Sequence, residues 1–286
     1  MGTTRAHGFA TRHPTSFDEH PLDTSDRTDE RERTMQASNG RVVSALAITG
    51  VLGWVGYGIG WAIVGGYLPG TEPTASAEAI TDFYTQNLMA VRVGLMIAMF
   101  CLTFVLMWGV AVFMVSRRIE NGFPAFSYVQ LAAMTVGNGF TLLCVIIWMV
   151  ASYRAGEISP QITLTLHDFA WLMFELSWPP YFVWLLAIAI VILRDRSARP
   201  LLPRWAAYMT LAEAVVNFLD SFLHIFKTGP LGYNGFYALW VTVFVFWAWA
   251  LVLTATVLRA ARRPEMSQPE PGMLESGSER VVQPTA

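Results

Sequence analysis

Two sets of ionisable side chains lie inside apolar runs of this sequence, and their spacing carries what chemistry the chain can be read for. His167, Asp168 and Glu175 fall within 164–193, LTLHDFAWLMFELSWPPYFVWLLAIAIVIL, while Glu213, Asn217, Asp220 and His224 fall within 203–226. On a helix turning about 100° per residue, the second set sits at roughly 0°, 40°, −20° and 20°, one narrow stripe. Side chains of this type persist in an apolar run only if they meet a partner, a cavity or a proton. If the stripes face each other, Glu175 and Glu213 come to a similar depth and compete for ionisation, as in a proton-linked or ligand-binding cavity. The candidate set is Glu175, Glu213, Asn217, Asp220, His167, Asp168, Trp171 and Trp178. Trp171 and Trp178, with Phe174, Phe222 and Tyr237, would supply aromatic walls suited to a lipophile bearing one polar group.

Two other uses of the same residues stay open. They can be purely structural, hydrogen-bonding across helices for about 0.6 kcal/mol each. They can also hold a metal ion: Asp220 and His224 stand at i, i+4, and His167 could join them in a mixed nitrogen and oxygen shell. A hydrolytic Ser/His/Asp reading fails, because Ser221 has no nucleophile elbow and GxSxG is absent.

These residues need helices in a bilayer to position them. The chain has 286 residues, 54% hydrophobic and 14% charged, a composition that predicts a multi-pass membrane protein. A formal net charge of −2 argues against a nucleic-acid partner. The two cysteines, Cys101 and Cys144, lie in apolar runs and build neither a disulfide framework nor a Cys-rich metal motif.

The spacing predicts an all-α polytopic bundle of six transmembrane helices over about 42–68, 88–115, 126–153, 164–193, 203–226 and 236–258. Residues 1–41 and 264–286 read as disordered cytoplasmic tails flanking a transmembrane domain at 42–263. The first apolar run begins at 42 and has spanning length, which is unlike a cleaved signal. Its glycines include Gly56 and Gly60 at small-xxx-small spacing, which predicts close helix approach and a helix-mediated oligomer through this span. Residues 76–87, SAEAITDFYTQN, read as an amphipathic helix in the headgroup layer, with Ile80, Phe83, Tyr84 and Leu88 on one face. Arg92 is expected to snorkel to the interface.

In the fourth span Pro179 and Pro180 lack amide protons, so the carbonyls of Glu175 and Leu176 lose their usual donors. That predicts a break beside a carboxyl group and a movable outer half of the span. Arginine placement sets the orientation. Arg31, Arg33 and Arg41, then Arg117 and Arg118, then Arg194, Arg196, Arg199 and Arg204, then Arg259, Arg262 and Arg263 flank one side, and only Arg92, Arg154 and Lys227 the other. The positive-inside rule then makes both termini cytoplasmic.

The segments TASAEAITDFY at 74–84, LHDFAW at 166–171, the Trp178-Pro179-Pro180 break, Arg199-Pro200 with Pro203-Arg204-Trp205, and Asn234-Gly235 resemble an uncharacterised family of six-helix bacterial integral membrane proteins of actinobacterial type. The resemblance runs over about 42–263 and implies topology without an activity. The Asp220-x-x-x-His224 pair is similar to one used by membrane-embedded copper monooxygenases, but the further histidine of those sites falls at Tyr237 here. The reading is a plasma-membrane protein, without an expected cofactor, that binds or translocates a small lipophilic molecule or proton through an outward-facing pocket between the fourth and fifth spans rather than catalysing covalent change. Its partners are the lipid bilayer and a lipophilic ligand. A membrane metalloenzyme or oxidase subunit is the alternative.

Overall fold

The computed structural model describes Gly2, residues 24–120 and residues 122–267, with the backbone alone described at 24–38, 220 and 267. Among the described residues there are helices and no strands. Five stretches are long and apolar enough to cross a membrane: Asn39–Val64, Leu88–Glu120, Ala125–Arg154, Pro160–Arg194 and Phe236–Ala261. That marks the chain as a membrane protein.

Helix α1 (Thr24–Gly58) continues as a π-helical stretch, Ile59–Val64. It begins inside the segment expected to be disordered; the run DERER contributes straight-chain residues of good helix propensity that the composition argument overlooked. Residues 3–23 and 268–286, the rest of the expected tails, lie outside the described residues. Next come α2 (Ala77–Gln86), α3 (Leu88–Glu120), α4 (Ala125–Arg154), α5 (Pro160–Leu176), α6 (Trp178–Arg194), α7 (Arg204–Leu219) and α8 (Thr242–Ala261), the last preceded by a second π-helical stretch, Phe236–Val241. Neighbours in the chain pack as neighbours in space: α1 on α3, α3 on α4, α4 on α5 and α6, α6 on α7. Helix α8 closes the bundle against α1 and α7.

The fifth expected span departs from its prediction. Helix α7 has 16 residues and stops at Leu219, where the chain tightens into a 3-10 turn, Asp220–His224. It falls short of the spanning length reached by the other five.

The glycines of the first span do bring a helix close, and it is α3 of the same chain. A Cβ at Gly53 would lie 2.8 Å from Cys101 O, one at Gly56 2.5 Å from Cys101 Sγ, and one at Gly60 2.7 Å from Gly94 O. The face expected to mediate an oligomer is therefore occupied within the chain, because Gly94 and Ala98 of α3 offer the matching small surface.

Arginine-rich segments meet at one end of the bundle. Arg118 Nε donates to Glu265 O (2.8 Å), Arg263 Nη1 to Pro200 O (2.6 Å), and Gly40 lies against Ala261 O. Carboxylates there satisfy backbone ends: Glu120 accepts from Ser127 N (2.7 Å) and Phe126 N (3.2 Å), capping α4. Asp195 accepts from Ser197 N (2.9 Å) and Leu201 N (3.2 Å). At the other end Arg92 reaches the C-terminus of α4. It donates to Ser152 O (3.1 Å) and Tyr153 O (3.0 Å), satisfying the last carbonyls of α4.

Helix α2 forms where expected, with Ser76 as its N-cap accepting from Ala79 N (3.2 Å). Its apolar face, Ile80 and Tyr84, is buried against protein, mostly α5, rather than turned to lipid.

Candidate functional site

The break in the fourth span is at Ser177, which separates α5 from α6, with Trp178-Pro179-Pro180 opening the second half. Proline is tolerated in a first helical turn, so the Pro-Pro pair starts a helix and forces the preceding one to stop. Ser177 Oγ donates to Phe174 O (2.9 Å), satisfying one carbonyl at the interruption. Irregular backbone at membrane depth survives where it lines a cavity, and here it does. A cavity of about 410 Å³ is lined by Phe174, Glu175, Ser177 and Trp178 from the break, together with parts of α1 and its π-helical end, α4, α7 and α8.

One wall is aromatic and comes from the first span. Trp54, Tyr57 and Trp61, at spacings of three and four, fall on one helix face, with Tyr57 stacked on Trp61 at 6.1 Å. Gly58 keeps the opposite wall near: a Cβ there would lie 2.8 Å from the Trp247 ring. On the far side Tyr181 Oη and Thr141 Oγ1 share a hydrogen bond (2.8 Å), and Gly137 lets the Tyr181 ring lie flat on α4, since a Cβ would meet it at 3.1 Å.

The polar floor joins two helices. Glu175 of α5 and Asn217 of α7 both line the cavity. Behind Asn217 lies Glu213, 1% exposed, whose Oε1 accepts from Asn217 Nδ2 (2.8 Å); the same amide also donates to Glu213 O (3.0 Å). Tyr57 lies within electrostatic reach of Glu175, Tyr181 and Cys144.

His167 belongs to a different assembly. It is fully buried, with Nδ1 2.8 Å from Tyr84 Oη and Nε2 2.6 Å from Thr71 Oγ1, so its ring fastens α5 to α2 and to the connection before α2. Gly70, at φ 82°, turns that connection against the Trp171 ring. Tyr233, from the 227–235 loop, stacks on Trp171 at 5.1 Å and donates to Glu72 O (3.4 Å). Burial drives the Tyr84 and Tyr67 hydroxyls well above the ordinary tyrosine range and the Tyr233 hydroxyl up to about 12. Asp168, half-buried, is within electrostatic reach of Lys227.

The sequence-derived set therefore divides. Glu175, Asn217 and Trp178 line the cavity, and Glu213 stands directly behind it. Trp171 is fully buried among Trp61, Tyr67, Trp148 and Tyr233 and lies outside the lining, as do His167, Asp168, Phe222 and Tyr237. The Asp220 side chain lies outside the described residues. His224 is exposed, because the stripe was laid out at α-helical pitch, whereas the chain advances about 120° per residue once the 3-10 turn begins at Asp220. Both ring nitrogens of His167 are engaged by hydroxyls, and among the described residues no three His, Cys, Asp or Glu side chains converge as a metal group would require. Ser221 Oγ is turned back to Phe218 O.

Sequence reasoning missed the first-span wall. The signal was present as Trp54-x-x-Tyr57-x-x-x-Trp61, an aromatic stripe at helical spacing. Thr141 and Tyr181 carried no comparable signal. No protein-family model matches the chain, and neither do curated proteins nor solved structures.

Proposed function

We infer that the chain is a six-span protein of the cell membrane, with both termini cytoplasmic, that binds or translocates a small lipophilic molecule or a proton through a polar, aromatic-walled cavity in the outer half of the bundle. Helix α7 and the turn after it serve as the remaining span, their length made up at the outer side. The cluster of arginine-rich connections at one end of the bundle supports the orientation. One observation carries the binding reading: Glu175 of α5 and Asn217 of α7 line a single aromatic-walled cavity beside the helix interruption at Ser177, with Glu213 bonded behind Asn217. Ionisable groups at this depth mark functional sites in membrane proteins, and an apolar cavity with a few convergent polar groups suits a lipophile with one polar end.

The test is a fluorescence titration of the purified protein in nanodiscs with N-phenyl-1-naphthylamine, a generic lipophilic probe, from acid to alkaline pH. Affinity should vary with pH in the unmodified protein and lose that variation in Glu175→Gln. A folded Glu175→Gln variant with an unaltered pH profile would return Glu175, Glu213 and Asn217 to a packing role.

A further inference from the structure

The geometry points to lateral loading: the cavity takes its occupant from the bilayer between the π-helical end of the first span and the start of α8, and that occupant is a lipophile carrying a carbonyl at its polar end. This rests on the reading of the cavity as a binding site and adds the route and the ligand class.

The route follows from the exposure of the lining. Ile59, Ile63 and Phe244 line the cavity and are 45%, 75% and 57% exposed, whereas Tyr57, Glu175 and Asn217 deeper in are almost wholly buried. The exposed residues are apolar and belong to the membrane-spanning stretches Asn39–Val64 and Phe236–Ala261. In a bilayer, exposed apolar residues of spanning stretches face hydrocarbon, so the mouth opens onto lipid and the polarity rises inward. The π-helical stretch Ile59–Val64 forms one side of the mouth, and a second, Phe236–Val241, leads directly into the α8 residues of the other side. In the first of these Gly65 N donates to Gly60 O, five residues back (2.8 Å). Such wide turns are rare and recur at functional sites.

The ligand class follows from an account of donors and acceptors. Several polar groups of the floor are already engaged inside the protein: Thr141 with Tyr181, Ser177 with Phe174 O, and the Asn217 amide with Glu213. Among the hydrogen-bond donors on lining residues, three buried ones are unmatched: Trp54 Nε1, Tyr57 Oη and Trp61 Nε1. An indole N–H can only donate, and a buried donor left unmatched costs about 1–3 kcal/mol. The complementary group is therefore an acceptor. A carbonyl offers two lone pairs and no proton of its own. An alcohol would bring one more donor to these three.

The experiment uses the full chain in nanodiscs and a matched pair of photo-reactive probes, a long-chain methyl ketone and the corresponding secondary alcohol, each with a diazirine on its chain. Labelled residues are mapped by peptide mass spectrometry. The expected result is saturable ketone labelling at the mouth, around Ile59–Ile63 and Phe244, with the alcohol binding more weakly. Tyr57→Phe, which keeps the ring and removes only the hydroxyl, should weaken ketone binding about threefold to tenfold, as loss of a membrane hydrogen bond does, and Trp61→Phe, which removes the indole N–H along with one ring, should weaken it at least as much. Ile63→Trp with Phe244→Trp, which narrows the mouth, should suppress labelling.

Equal binding of ketone and alcohol, indifferent to the donor variants, would overturn the carbonyl assignment and leave the cavity a binding site. Saturable labelling of the floor that persists when the mouth is narrowed would overturn the lateral route. Absence of saturable labelling by either probe would remove the binding reading itself, and this inference with it.

Discussion

Truncating Asn217 to alanine tests whether Glu213 and Asn217 act as a unit. The amide supplies the only hydrogen bond described to the Glu213 carboxyl, at 2.8 Å to Oε1, and Oε2 is buried with no hydrogen-bond partner. Hydrogen bonds between side chains in membrane bundles average about 0.6 kcal/mol and reach about 1.7. Stranding a buried polar oxygen costs about 1–3 kcal/mol. Since Glu213 is only 1% exposed, water cannot replace the lost donor, and the upper part of that range applies. We expect Asn217→Ala to destabilise the protein by about 2 kcal/mol. The double variant Glu213→Leu with Asn217→Leu should recover most of that loss, because replacing both partners removes the unmet demand together with the bond. Equilibrium unfolding in mixed micelles, analysed as a double-mutant cycle, measures both. A loss below about 0.5 kcal/mol for the single variant, or a double variant worse than either single, would refute the reasoning.

Three further outcomes follow from the packing. Gly60→Ala should destabilise by more than about 2 kcal/mol, since its Cβ would meet the backbone of Gly94 and Ala98 at 2.7 Å; Gly139→Ala, with nothing within 4 Å, should be neutral or slightly stabilising, and thermal unfolding of the two side by side checks the contrast. Tyr84→Phe should cost about 1–3 kcal/mol by stranding His167 Nδ1 and should raise hydrogen exchange in α2 more than elsewhere. Tyr233 stays neutral in the folded protein up to about 12, whereas an exposed tyrosine ionises near 10. The stability it contributes is thus complete below pH of about 10 and lost as pH climbs toward 12, so alkaline titration should open the 227–235 loop and Tyr233→Phe should blunt that opening.

Much of the fold could be read from the order of residues, for identifiable reasons. The extents of the second, third and sixth spans followed from apolar runs bounded by turn residues, and the arginine distribution anticipated which connections share one end. The break in the fourth span was legible because Pro179 and Pro180 cannot donate backbone hydrogen bonds. Interhelical facing was not legible. His167 looked like a companion of Asp220 and His224 because depth along the helix is written in sequence, while rotation about the axis depends on tertiary packing. Its partners, Thr71 and Tyr84, lie 96 and 83 residues away. The 3-10 turn at Asp220 ended a stripe that helical pitch alone would have continued. Tyr57, Trp61 and Tyr181 carried no sign of a shared cavity, because the space they line exists only once six helices have packed around it.

The most direct test is a crystal structure of the protein grown from a lipidic mesophase. A continuous elongated density from the Ile63 and Phe244 rim to the floor at Tyr57 and Glu175 is the expected result. A space closed by the rings of Trp54, Tyr57 and Trp247, with Glu175 and Asn217 held apart in packed protein, would contradict it.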